Sequence, residues 1–253
     1  MEFSLKTHIY GSYQKRILQS IRSEVMGMIA NLDCNLLGLR TDRRGLIVIE
    51  LEGRDSEFVS NVLQKEYGTI PKLDEIQPGF HTRGYLIDVG KVGYGLYVDI
   101  GITTSRQMDA LIPLHRLREQ LLLPEASLRS IAKKIILVDN LPVDIEILNT
   151  DFARQRIEAE FEQTFLDRLN NWIADDHERL LVLGSTLDMV ENTLVRSGHR
   201  EDIYQIEKLG IFEYSLRCKR STRAFGILAA IGPRMRGIPM HLFIPSEIEA
   251  ARK

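Results

Sequence analysis

Apolar positions recur along this chain with two different periods, and the switches between them divide it into three stretches. In the first stretch Ile17, Ile21, Val25 and Met28 are three or four residues apart, the repeat of one helical face, with Ser12 ahead of them as a candidate N-cap. Ser4–Tyr10, Asp33–Arg40 and Leu46–Leu51 read as strands, with Thr41–Gly45 turning between the last two. A second helix is expected after Asp55 or Ser56, burying Phe58, Val59, Val62 and Leu63. Helices laid on an antiparallel sheet make a small α+β layer. Its mixed surface charges suggest a structural or docking role. Residues Tyr67–Gly79, with Pro71 and Pro78, have the composition of a linker.

The middle stretch changes to short runs. Tyr85–Val89 and Tyr94–Ile100 are joined by Gly90-Lys91-Val92-Gly93, and Ala110–Ile112 follows a polar loop. Runs of Tyr, Val, Leu and Ile bounded by Gly and Asp suit a tightly turning antiparallel sheet. Leu114–Leu123 and Ala126–Ile135 read as helices separated at Pro124, and Val143–Asn149 alternates as a strand. From Asp151 the period lengthens again. Ile157, Phe161, Phe165, Leu169, Trp172 and Ile173 predict one long amphipathic helix. Beyond it come a strand at Arg179–Leu183, a helix over Leu187–Ser197 stopped by Gly198, and a further helix near Asp202–Lys208. Ile211–Cys218 and Met240–Ile244 are strands, while Phe225–Ile231 fits either a strand or a buried helix. The fold class is α+β and multidomain, with an N-terminal α+β domain over residues 1–76, a β-barrel over 77–151 and a C-terminal α+β domain over 152–253.

The glycine spacing of the middle stretch (Gly84, Gly90, Gly93, Gly95, then Val98-Asp99-Ile100-Gly101) resembles the opening of an S1-type oligonucleotide-binding barrel, an OB-fold. In that family the second strand carries aromatic-Gly-x-aromatic-Val, matched by Tyr94-Gly95-Leu96-Tyr97-Val98, and the third is matched by Ala110-Leu111-Ile112. The resemblance implies that Tyr94 and Tyr97 lie on the outer face and stack on bases. A bulge at Gly95 would let both rings face outward, since three residues along a regular strand reverse the side. Arg83, Lys91, His115, Arg116 and Arg118 would ring that face as phosphate contacts. Pro113 stands where many S1 domains carry a histidine, and Asp99, on the alternation of Tyr97, would repel phosphate. The three-part arrangement as a whole resembles a family of archaeal proteins of unassigned function.

Composition narrows the functional classes. A 44% apolar content can fill cores, and a net charge of −2 puts any nucleic-acid contact on local charge. No apolar run approaches the roughly 18 residues needed to span a bilayer, and the first residues lack a signal-peptide core. Cys34 and Cys218 are far apart, which argues against a disulfide framework or zinc site and for a reducing cytoplasm. The clearest local charge lies downstream. Tyr214–Ser246 contains no Asp or Glu but holds Arg217, Lys219, Arg220, Arg223, Arg234 and Arg236, a pattern suited to RNA phosphate or to an acidic surface of this or another subunit.

Candidate chemistry elsewhere is thin. Asp175-Asp176-His177-Glu178 reads as a solvated turn rather than a metal cluster, and Ser185 or Thr186 as a helix cap rather than a phosphate loop. No catalytic residue, metal ligand or cofactor is expected. The expectation is a cytoplasmic, non-catalytic RNA-binding protein tied to translation or RNA processing. It would grip single-stranded or structured RNA at both surfaces, with steep salt dependence. The alternative is a protein-docking scaffold in a ribonucleoprotein assembly, with a degenerate barrel. Exposed tyrosines beside a basic groove favour RNA, whereas tyrosines buried against a neighbouring domain favour the scaffold.

Overall fold

The computed structural model describes residues 1–102 and 107–252. In the N-terminal part β1 (Glu2–His8), β2 (Asn35–Thr41) and β3 (Leu46–Glu52) form an antiparallel sheet in the order β1-β3-β2. Two helices cover it, α1 (Gln14–Ile29) and α2 (Ser56–Tyr67). As the spacing predicts, α1 buries Ile17, Ile21 and Val25, but the face ends on Ile29, with Met28 only half-buried. Its cap position is Tyr13 rather than Ser12, and no side chain caps it. The Ser12 hydroxyl instead lies against Gly237, so tightly that a Cβ there would collide with it. The buried face of α2 is Ser56, Val59, Ser60, Leu63 and Tyr67. That face leaves Phe58 outside, 59% exposed, against the sequence expectation. Asp55 occupies the cap position of α2 as expected, but its carboxylate accepts the Asp33 N–H at 2.8 Å instead of a helix N–H.

A closed five-stranded barrel occupies the centre. Its strands are β4 (His81–Ile87), β5 (Gly95–Asp99), β6 (Ala110–Pro113), β7 (Pro142–Asp151) and β8 (Arg156–Phe161). They close in the order β4-β5-β6-β8-β7, with β6 and β8 parallel. Two helices, α3 (Leu114–Gln120) and α4 (Leu128–Ile135), lie between β6 and β7. The closing strand corrects the sequence reading, which placed residues 156–161 in a long helix. Ile157 and Phe161 fit a helical spacing, but Ile157, Ala159 and Phe161 also alternate with exposed or half-exposed charges, and it is these three that face the barrel core. The helix starts only afterwards, as α5 (Gln163–Ala174).

In the C-terminal part an antiparallel sheet has the order β10-β11-β9-β12, from β9 (Arg179–Leu183), β10 (Ile203–Lys208), β11 (Glu213–Cys218) and β12 (Met240–Phe243). Helices α6 (Leu187–Ser197), α7 (Ala224–Ile231) and α8 (Pro245–Arg252) complete it. Thr186 accepts the Met189 N–H as N-cap of α6, and Gly198 ends that helix in the left-handed region at φ 77°. Residues 203–208 are an edge strand, not a helix; beyond the buried Ile203 their exposed and half-exposed side chains give no strong period in either sense. Phe225–Ile231 resolves as helix. All five residues of β9 are buried because both faces of its sheet are covered. Leu181 and Leu183 join the barrel core with Trp172 and Phe243, while Leu180 and Val182 pack under α6 and α7. No described helix is long and apolar enough to cross a membrane.

Buried polar contacts tie the three parts together. Tyr10 donates its hydroxyl proton to Glu213 Oε1 at 2.8 Å, and the Phe212 N–H reaches Oε2 at 3.3 Å. Full burial pushes the Glu213 carboxyl up to about 7. Between the ordinary glutamate range and pH 7 the folded state therefore holds a proton that the unfolded chain has released, so stability falls as pH rises through that window. The expected loss between about pH 4.5 and 7 is about 3 kcal/mol. Urea unfolding at a series of pH values checks it: Glu213→Gln should flatten this part of the profile, and an unchanged slope would refute the assignment.

Candidate nucleic-acid interface

The barrel's outer face carries the two tyrosines side by side. Tyr94 is 55% exposed and Tyr97 half-buried, with ring centroids 6.2 Å apart, planes at 86° and hydroxyls hydrogen-bonded at 2.7 Å. That hydrogen bond, and then partial burial, push the Tyr97 phenol up to about 12, so that ring is neutral at physiological pH.

They reach the same face by a route other than a bulge. The β5 pairings run in regular register from Gly95 opposite Pro113 to Val98 opposite Ala110. Tyr94 sits just before the strand, where its carbonyl accepts the Leu114 N–H at 2.8 Å. Gly95 is required by close approach instead, since a Cβ would stand 2.5 Å from the Ile112 carbonyl oxygen.

Beneath the rings is a groove of about 550 Å³, floored by Leu111 and Ile157 and walled by the β7–β8 hairpin with Asn149, Arg154, Gln155 and Arg156. Three carboxylates, Asp109, Asp151 and Glu158, also line it. Arg154 is 3.6 Å from Asp151. The face therefore combines aromatic rings, amides and a mixed charge. The hairpin arginines, Arg154 in the turn and Arg156 at the start of β8, are hidden in the sequence because Ile157 and Phe161 also fit a helical repeat; the alternation of Arg156–Phe161 is the signal that exposes them.

Asp99 does not face this groove. It is buried, and Arg44 in the β2–β3 turn grips it through Nε at 3.1 Å and through a second, shorter bond, while donating to the Ile102 carbonyl at 2.7 Å. Arg83 stands at the junction with the C-terminal sheet, bound to Asp144 at 2.7 and 3.1 Å and reaching the Leu209 carbonyl. Lys91, in the β4–β5 connection, pairs with Asp88 at 2.5 Å. On α3, His115 is exposed, Arg116 lies near Glu119 and Glu160, and Arg118 donates to the Ala126 carbonyl at 2.9 Å. None of these five residues is among those lining the tyrosine groove.

The acid-free segment is split by the fold. Arg217 lies across the Tyr204 ring at 4.9 Å and pairs with Asp175 at 3.2 Å. Lys219 and Arg220 are exposed, and Arg223 pairs with Glu178 at 2.5 Å. Arg234 and Arg236 are exposed beyond the other end of α7. These six are likewise absent from the tyrosine groove.

Residues 175–178 are more engaged than a solvated turn. Asp175 holds Arg179 and Arg217, His177 Nδ1 contacts the Cys218 carbonyl at 2.7 Å, and Glu178 accepts the Ala224 N–H that opens α7. Both cysteines are buried and free. Among the described residues no group of His, Cys, Asp or Glu is arranged to hold a metal ion.

Comparison with known proteins returns a family rather than an activity. No curated protein matches the chain. Three family models match in series and follow the structural divisions: the DUF2110 N-terminal domain over residues 2–73, the central domain over 76–173 and the C-terminal domain over 177–242. The chain belongs to the DUF2110 family.

Proposed function

We propose that this protein binds single-stranded RNA without chemical conversion, seating bases on Tyr94 and Tyr97 over the β7–β8 hairpin. The barrel's strand order, with its third and fifth strands parallel and helix between the third and fourth, supports the OB-type reading. In that fold the face of strands two and three, with the loops between strands one and two and between four and five, receives oligonucleotides. The single observation that carries the proposal is positional: the aromatic groove is built from β5, β6 and the β7–β8 loop, those same elements. Aromatic rings suit stacking, which is worth about 1–3 kcal/mol per base and tolerates any base. Asn149 and Gln155 add donors and acceptors for base edges. A role beside translation or RNA processing accords with such binding.

Salt dependence distinguishes the barrel acting alone from the barrel acting with the C-terminal cations. Neutralising two phosphates at Arg154 and Arg156 predicts a fall in affinity of roughly tenfold between about 50 and 200 mM salt. Engagement of Lys219, Arg220, Arg234 and Arg236 as well raises the fall beyond about a hundredfold. Filter binding of a single-stranded ribo-oligomer at the two salt concentrations reads this directly, and absence of binding at both overturns the proposal.

The groove's three carboxylates favour a second reading, a docking surface for a protein segment carrying basic and aromatic side chains. Under that reading RNA does not bind, and the tyrosine variants lose a protein partner instead.

A further inference from the structure

A second cavity, away from the tyrosines, lies where all three parts of the chain meet. Its volume is about 270 Å³. Lys6 comes from β1, Glu66 and Tyr67 from the end of α2, Arg83 and Tyr85 from β4, and Lys208 from β10. The turn after β10 adds the apolar side chains of Leu209 and Ile211. A compact, largely apolar hollow with a few convergent polar groups at a domain junction has the form of a small-ligand site.

The charges do not cancel. Arg83 is satisfied by the bidentate contact with Asp144. Lys6 donates to the neutral Thr82 hydroxyl at 2.5 Å, and no carboxylate among the described residues stands within ion-pair distance of it. Lys208 faces Glu66, whose carboxyl is held above its usual range by burial and then by Glu24. The cavity is left with a half-buried ammonium that lacks an anionic partner, and such a group is costly unless something pairs with it.

We propose that this cavity binds a small organic anion, one carboxylate or phosphate group on a compact apolar body, with the anionic group on Lys6 and the body between Tyr67, Tyr85 and Ile211. Because the lining comes from β1, α2, β4 and the β10–β11 turn, the ligand binds the assembled chain and stabilises its docking.

The pH dependence has a defined sign. Burial, and then the charge of Arg83, bring the Lys6 ammonium down to about 8, against the opposing pull of Asp144. The groups facing it are Arg83 and Tyr85 on β4, Asp144 on β7, Glu66 and Tyr67 on α2 and Lys208 on β10. An anion favours the protonated amine, so affinity falls as pH rises through about 8, and binding near that pH takes up a proton.

The test is calorimetric titration and thermal unfolding of the full chain with phenyl phosphate, phenylacetate and the neutral phenylacetamide, each at millimolar concentration. At least one acid should bind, raise the unfolding temperature and take up protons near pH 8, whereas the amide should do none of these. Binding by phenyl phosphate alone assigns a phosphate ligand, and binding by phenylacetate alone assigns a carboxylate. Lys6→Met, which keeps the side chain's length without the buried charge, should weaken the acid by about tenfold or more. Tyr94→Leu should leave the affinity unchanged. Failure of both acids to bind, equal binding by the amide, or full affinity in Lys6→Met overturns the proposal. A variant that unfolds at the same temperature with and without the acid, while the wild type shifts, supports it even if the variant's own stability has changed.

Discussion

Replacing Arg44 with methionine is expected to lower stability by about 3–5 kcal/mol at neutral pH, the range for removing one partner of a buried ion pair. The size follows from what is left behind. Asp99 is 3% exposed and loses its guanidinium, keeping the Gly101 N–H at 2.8 Å. His8 Nε2 lies 3.5 Å from its Oδ2, and burial, then the charge of Arg44, bring that imidazole down to about 4 in the intact protein; losing Arg44 removes the second cause and leaves burial opposing a compensating charge. The Ile102 carbonyl also loses the guanidinium at 2.7 Å and keeps the longer contact from the Met108 N–H at 3.4 Å. Asp99→Asn relieves the stranded charge, so the double variant Arg44→Met/Asp99→Asn should be markedly less unstable than the two single effects summed. Urea unfolding of the four proteins measures this, and additive effects would show that the pair does not couple the N-terminal sheet to the barrel.

Arg179→Met is expected to cost somewhat less, about 3 kcal/mol, although Arg179 is the more deeply buried cation at 1% exposure. It donates to Asp175 at 2.9 Å and again more closely, and to the carbonyls of His177 at 2.9 Å and Trp172 at 3.4 Å, with the Trp172 ring 5.0 Å from its guanidinium. What it strands is less severe. Asp175 is 25% exposed and retains Arg217 at 3.2 Å.

Burial raises the Asp175 carboxyl, but bonds from Arg179 and the His177 amide, with the charges of Arg179 and Arg217, outweigh it and leave it below its usual range. A lowered carboxyl contributes stability that is present above the unfolded aspartate range and is lost as pH falls through the folded one. The variant should therefore lose less on acidification than the wild type. Arg179→Lys should not restore the stability, because one ammonium cannot reproduce the fork of bonds to Asp175 and two carbonyls. Full recovery with lysine would contradict this account.

Local signals in the sequence were enough for much of the fold. The cap at Thr186, the stop at Gly198 and the stripe of four-residue spacing through Ile17, Ile21 and Val25 each act within a few turns of helix, and each is found where the pattern places it. The glycine and tyrosine spacing likewise placed β5 and an outward-facing aromatic pair. Misreadings came where two periods coincide or neither is strong. Ile157 and Phe161 satisfy a helix as well as a strand, and only closure of the barrel against β6 and β7 decides between them. The edge strand Ile203–Lys208 has no buried face of its own beyond Ile203.

Contacts distant in sequence left no trace to read. Arg44 meets Asp99, Tyr10 meets Glu213, and Lys6 meets Arg83 and Lys208 around one cavity. Pairings of this kind are set by how the three parts dock, which periodicity within each part does not encode.

The central claim is that Tyr94 and Tyr97 form the base-stacking surface. Its most direct test compares the affinity of the wild type and Tyr94→Leu/Tyr97→Leu for one single-stranded ribo-oligomer at fixed salt. The leucines keep the groove apolar while removing the rings, so the account predicts a loss of about tenfold or more, from stacking energies of about 1–3 kcal/mol per base. Equal affinity in the two proteins would contradict it.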